Sequence, residues 1–118
     1  MRRRASHVTR PPGFGVVRFR LAALFAAQFF DLGTFSLMIE RHGVRAEANP
    51  IVAQGFADWG MPLVVVAKFA LVLLVGSIVV LLAGHEPVRP TRLRVAALLT
   101  VLAVVAGVAG GLTNAATL

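Results

Sequence analysis

Residues 62–83 read PLVVVAKFALVLLVGSIVVLLA, 22 residues of which 15 are Leu, Ile, Val or Phe and one, Lys68, is charged. At ~1.5 Å rise per residue this stretch spans about 33 Å as a helix, enough to cross the ~30 Å hydrocarbon layer of a bilayer. Each large apolar residue contributes roughly −0.3 to −0.6 kcal/mol to insertion near the centre, and one central lysine costs about +2.5 to +3.5 kcal/mol. The apolar residues outweigh the lysine, so the stretch is predicted to be a transmembrane helix even with Lys68 unpaired.

Two further apolar runs flank it. The first, from about residue 19 to 39, is the least apolar of the three because it carries Gln28 and Asp31. Its net insertion energy is close to zero or weakly favourable, so it depends on its neighbours. The third, from about 95 to 115, carries no charge. Short charged links join the runs, and the chain of 118 residues is 58% hydrophobic, with a mean hydropathy of +0.82. That composition predicts one all-α membrane domain over 19–118, with three transmembrane helices and no room for a soluble domain. Residues 1–18 are basic, contain Pro11-Pro12 and lack apolar periodicity, which reads as a disordered cytoplasmic tail. A cleaved signal peptide ending at Ala46-Glu47-Ala48 is disfavoured, because Gln28 and Asp31 interrupt its apolar run and Glu40, Arg41, His42 and Arg45 separate that run from the site.

The net charge of +7 would suggest nucleic acid on a soluble fold, but the arginines flank apolar runs, where membrane orientation already explains them. Six precede the first run, two (Arg41 and Arg45) follow it, three (Arg89, Arg92 and Arg94) precede the third run, and none follow that. The positive-inside rule then places the N-terminus inside, the first loop outside, the second loop inside and the C-terminus outside. There is no Cys, which excludes disulfides, thiolate metal sites and a cysteine nucleophile. The Ala, Val, Leu, Gly and Arg bias suits a GC-rich bacterial genome, and hence a multi-pass protein of a bacterial cell membrane.

Within the first loop, Asn49-Pro50 has the form of a helix N-cap followed by proline at the first helical position, and Gly60 is a stop signal. Residues 51–59 are therefore predicted to form a short interfacial helix with Trp59 at the membrane boundary. The link 84–94, broken by Pro87 and Pro90, reads as a basic turn.

The polar residues converge. Asp31 lies about 12 Å below the outer end of the first span and Lys68 about 9 Å below that of the second, so they meet at similar depth on antiparallel helices. Thr34 is a turn shallower, Asn114 returns to the same side late in the third span, and Glu47 and Asn49 lie in the loop above. Asp31, Thr34, Glu47, Asn49, Lys68 and Asn114 form the candidate intramembrane polar cluster. Ala103, Gly107, Gly110 and Gly111 belong to a small-residue seam along the third span that lets another helix approach closely.

Asp31-x-x-Thr34, Glu47-x-Asn49-Pro50 and Lys68 resemble the pattern of a family of small bacterial and archaeal membrane proteins of unknown function. The resemblance covers roughly residues 20–115. It implies a three-helix membrane fold and no known activity.

Each polar feature has a structural and a functional reading. Asp31 with Lys68 reads first as a buried ion pair that fixes helix register, and alternatively as a proton or ligand site. Glu47 and Asn49 read as caps of the interfacial helix, and Thr34 and Thr100 as hydroxyls bonded to their own helix. His7, His42 and His85 fall in three separate segments and share no metal, and Gly110-Gly111 follows no strand, so it is packing and not a phosphate cradle. No metal or other cofactor is expected. The preferred function is a structural or accessory bundle that packs, through its Gly/Ala seam, with itself as a homo-oligomer or with a larger membrane complex; its other partner is the lipid bilayer. An oligomeric transporter or ion-translocating protein using Asp31, Lys68 and Asn114 is the alternative. A membrane enzyme with Glu47 or Asp31 as general base is the second. Reporter fusions after residues 15, 50, 88 and 118 are expected to read inside, outside, inside and outside; an inside reading at 50 would overturn the depth argument.

Overall fold

The computed structural model describes residues 14–83 and 89–118. It is all-helical: α1 (Phe14–His42), a single 3-10 turn at Val44–Ala46, α2 (Pro50–Ala83) and α3 (Pro90–Ala116). All three long helices are long and apolar enough to cross a membrane, α2 being the most apolar and α1 the least. The chain is thus a small multi-pass membrane protein. Positions 1–13 of the tail lie outside the described residues, as do Pro87 and His85 in the second link.

Two boundaries differ from the sequence reading. α1 begins at Phe14, so residues 14–18 are helical and not tail; Val16, Val17 and Phe19 continue the apolar run across the arginines. α3 begins at Pro90, so residues 90–94 belong to the helix and not to the turn. A proline in the first helical turn loses no hydrogen bond, because the first N–H groups of a helix have no partner inside it.

The connection from α1 to α2 turns on two glycines. Gly43 (φ 75°) closes α1, its N–H donating to Ile39 O at 2.9 Å. Asn49 then caps α2: its Oδ1 accepts from the N–H groups of Ile51 (3.0 Å) and Val52 (3.4 Å), while Glu47 Oε1 accepts from Asn49 N–H at 2.7 Å. At Gly60 (φ 72°, ψ −166°) the backbone leaves helical geometry. The helix is there divided into a short limb, 50–59, and the spanning limb, 61–83. Pro62 reinforces the break, since it supplies no N–H and its ring crowds the preceding turn.

The short limb folds its apolar side inward. Val52 and Phe56 pack on a cluster of Phe35, Met38 and Val64, with Phe35 and Phe56 edge to face at 5.8 Å. Ile51 and Trp59 point away from that cluster, 82% and 74% exposed. Further along the bundle Leu24, Val79 and Ala96 are fully buried. The most extensive helix contact is between α1 and α3.

The backbone at Gly60 lies in a region open essentially to glycine alone. Gly60→Ala is expected to lower unfolding stability in detergent by about 1–3 kcal/mol. An unchanged midpoint would show that the kink is not held in place.

Candidate functional site

Asp31 occupies the buried face of α1 together with Leu24, Ala27, Gln28, Thr34, Phe35 and Met38. This spacing of three and four residues is the inner stripe of a helix that packs on two neighbours. Lys68 reaches it from α2, two turns beyond the Gly60 kink, and its Nζ contacts Asp31 Oδ2 as an ion pair. Asn114 reaches it from the end of α3: Nδ2 donates to Asp31 Oδ1 at 3.1 Å and to the Asp31 backbone oxygen at 3.4 Å. The carboxylate therefore has one oxygen on each neighbouring helix.

Gln28 extends the network by one turn. Its Oε1 accepts from Lys68 Nζ at 3.4 Å and its Nε2 donates to Ala103 O on α3 at 2.9 Å. The side chain is 3% exposed, and its amide spans from α2 to α3. The sequence reading passed over it as an interruption of an apolar run. Its signal was the position three residues before Asp31, which puts both on one face.

The small-residue seam is where this network sits. A methyl group at Gly107 would fall 2.9 Å from Ala27 C and O and from Gln28 Nε2, and one at Gly110 would fall 2.6 Å from Asp31 Oδ1. One at Gly111 would collide with the Phe30 ring. Real Cβ atoms do not come that close. Ala103 contributes its carbonyl to Gln28, so all four seam residues face α1 inside the protein.

The remaining sequence candidates are elsewhere. Thr34 is buried, but its hydroxyl donates to Phe30 O (2.8 Å) and Asp31 O (3.1 Å) of its own helix, and Thr100 likewise to Ala96 O at 2.8 Å. Glu47 and Asn49 form the α2 cap and do not join the ion pair. Among the described residues, no group of three or more His, Cys, Asp or Glu could hold a metal ion, and no buried side-chain nitrogen or oxygen lacks a hydrogen-bond partner.

Chemically the site is a polar patch in which one acidic and one basic side chain pair and the buried polar atoms have partners. The Lys68 side chain keeps 27% of its surface exposed, against 12% for Asp31. It borders a narrow crevice with Phe25, Phe29, Leu32 and Phe69.

A family model described as "Domain of unknown function (DUF5658)" matches residues 22–113, and the chain belongs to that family. No curated protein and no solved structure matches the chain. The matched segment includes Gln28, Asp31 and Lys68, and stops one residue short of Asn114.

Leucine in the seam is expected to break the α1–α3 contact. Gly107→Leu should abolish or sharply reduce accumulation of folded protein, because the Ala27 backbone it meets has no freedom to give way, and Gly111→Leu should reduce it by driving the Phe30 ring out of place. Val105→Leu, on the 58% exposed side of α3, should be tolerated. Equal tolerance at all three positions would show that the seam does not carry the packing.

Proposed function

We propose that this DUF5658 protein is a structural or accessory component of the membrane, a pre-assembled three-helix bundle that packs with copies of itself or with a larger membrane complex. The observation that carries this reading is the closure of the Asp31 network. One carboxylate is met by Lys68 and Asn114, and Gln28 ties Lys68 to α3. An intramembrane ion pair of this kind serves helix register without needing a transported species.

The seam is not the docking surface in this reading, because Gly107, Gly110 and Gly111 are occupied by α1. Association falls instead to the apolar outer flanks of α2 and α3, which include Leu73, Leu74, Leu98, Val101 and Val105. The orientation proposed for it has the arginine-rich end of the bundle in the cytoplasm.

Ion translocation is the alternative, and the exposure of Lys68 at the crevice favours it. Three helices do not enclose a path of ordinary width, so this alternative requires an oligomer. Two measurements on the full chain separate the readings. Gentle extraction from native membranes should give a particle well above the mass of one chain, and proteoliposomes should show no proton or cation flux that Asp31→Asn removes. A lone monomer would contradict the packing role; an Asp31-dependent flux would establish translocation in its place.

A further inference from the structure

Lys68 lines two openings. The crevice beside Phe25, Phe29 and Phe69 has a volume of about 10 Å³, room for no more than one water molecule. The other lies between the two limbs of α2 and holds about 370 Å³, within the ordinary range of small-molecule sites. Ile51 and Phe56 wall it from the short limb and Leu63, Ala67 and Leu71 from the spanning limb, and Lys68 is the one polar side chain in its lining. Leu63, Ala67 and Leu71 are exposed, so the groove opens sideways to the surrounding lipid.

An ammonium carries three hydrogen-bond donors. Asp31 Oδ2 takes one in the ion pair, and Gln28 Oε1 takes another at 3.4 Å. The third has no acceptor among the described residues. A donor left open in hydrocarbon is costly, because no solvent is there to receive it, so a guest that brings an acceptor into this groove completes the site.

The surroundings of Lys68 restrict what that guest is. Its positive charge is already balanced by Asp31, and a second anion would face an uncompensated carboxylate where the dielectric is low, so the guest is uncharged. No side chain in the lining accepts a hydrogen bond, and a hydroxyl or amide head would strand its own hydrogen there. A carbonyl oxygen accepts and needs nothing in return. Lys68 also lies six residues beyond Pro62, about 9 Å along the spanning limb, a depth that an uncharged head enters and a charged one resists.

We propose that the groove between the two limbs of α2 binds an isoprenoid quinone, with one ring carbonyl accepting from Lys68 Nζ, the ring against Phe56 and the tail leaving past Leu71 to the lipid. A quinone combines the required features: no charge, acceptors without donors, and a flat apolar head on a lipid-soluble tail. The site lies within one chain, so it does not depend on the bundle packing with other proteins.

The test is native mass spectrometry of the full chain released from phosphatidylcholine nanodiscs loaded with ubiquinone-2, or with geraniol or geranic acid, which carry the same tail on a hydroxyl or carboxylate head. The wild-type protein should retain one ubiquinone-2 per chain, and the alcohol and the acid at least about tenfold less, the weight of one hydrogen bond to a charged donor. Ala67→Phe fills the groove from an exposed position and should lower quinone retention by about tenfold or more. Leu102→Phe, exposed on α3 and outside the groove, should behave as wild type. The double variant Asp31→Asn/Lys68→Met keeps the groove without the donor, and it should retain the quinone no better than the alcohol. If that variant does not fold, the comparison of heads on the wild type together with Ala67→Phe decides the matter. Retention of geraniol or geranic acid equal to that of the quinone, an Ala67→Phe variant indistinguishable from Leu102→Phe, or a folded double variant with wild-type quinone retention would each overturn the proposal.

Discussion

A carboxylate and an ammonium placed in hydrocarbon each cost several kcal/mol, and the arrangement of this bundle follows from cancelling that cost. Asp31 lies on the least apolar helix, which on composition alone inserts only weakly, and Lys68 lies on the most apolar one, which inserts despite its charge. Bringing the two together makes α1 dependent on α2. The remaining carboxylate oxygen of Asp31 is met by Asn114, which draws in the end of α3. One acidic side chain thereby sets the register of two helix pairs.

Such a network needs space that ordinary helix packing does not leave. The glycines of α3 supply it. Without a side chain at Gly107 and Gly110, the α3 backbone comes within reach of Gln28 and Asp31, and the Ala103 carbonyl becomes available to the Gln28 amide. The small-residue seam and the polar cluster are therefore one feature. Close approach gives dispersion contact along α1 and α3, and it also puts polar groups near enough to satisfy one another where no water is available.

Several elements of this design were legible in the chain. Three long apolar runs with few charges read directly as spans, because hydrocarbon thickness dictates their length. The meeting of Asp31 with Lys68 followed from counting residues along antiparallel helices, which works because rise per residue is nearly constant. The Asn49-Pro50 cap was readable because capping is local chemistry. What was not legible depended on which helix lies beside which. The seam of α3 announced a close neighbour without saying whether it was α1 or another chain, and Gln28 looked like an imperfection until Ala103 and Lys68 were placed beside it. Glu47 and Asn49 share a side of the membrane with the cluster in the sequence reading, but depth alone does not distinguish a cap from a ligand. Pro90 was read as a breaker although it opens α3, since a proline in the first helical turn and a proline in a loop look the same without the fold.

The central claim is that Asp31 and Lys68 lock the bundle through each other. A double-mutant cycle on folding stability in lipid tests it most directly. Asp31→Asn and Lys68→Met alone should each lower stability by about 3 kcal/mol, since each strands a charge, and the double variant should recover a large part of that loss. A harmless Lys68→Met, with a double variant no more stable than Asp31→Asn alone, would show that Lys68 is solvated at the membrane surface and that the pair holds nothing together.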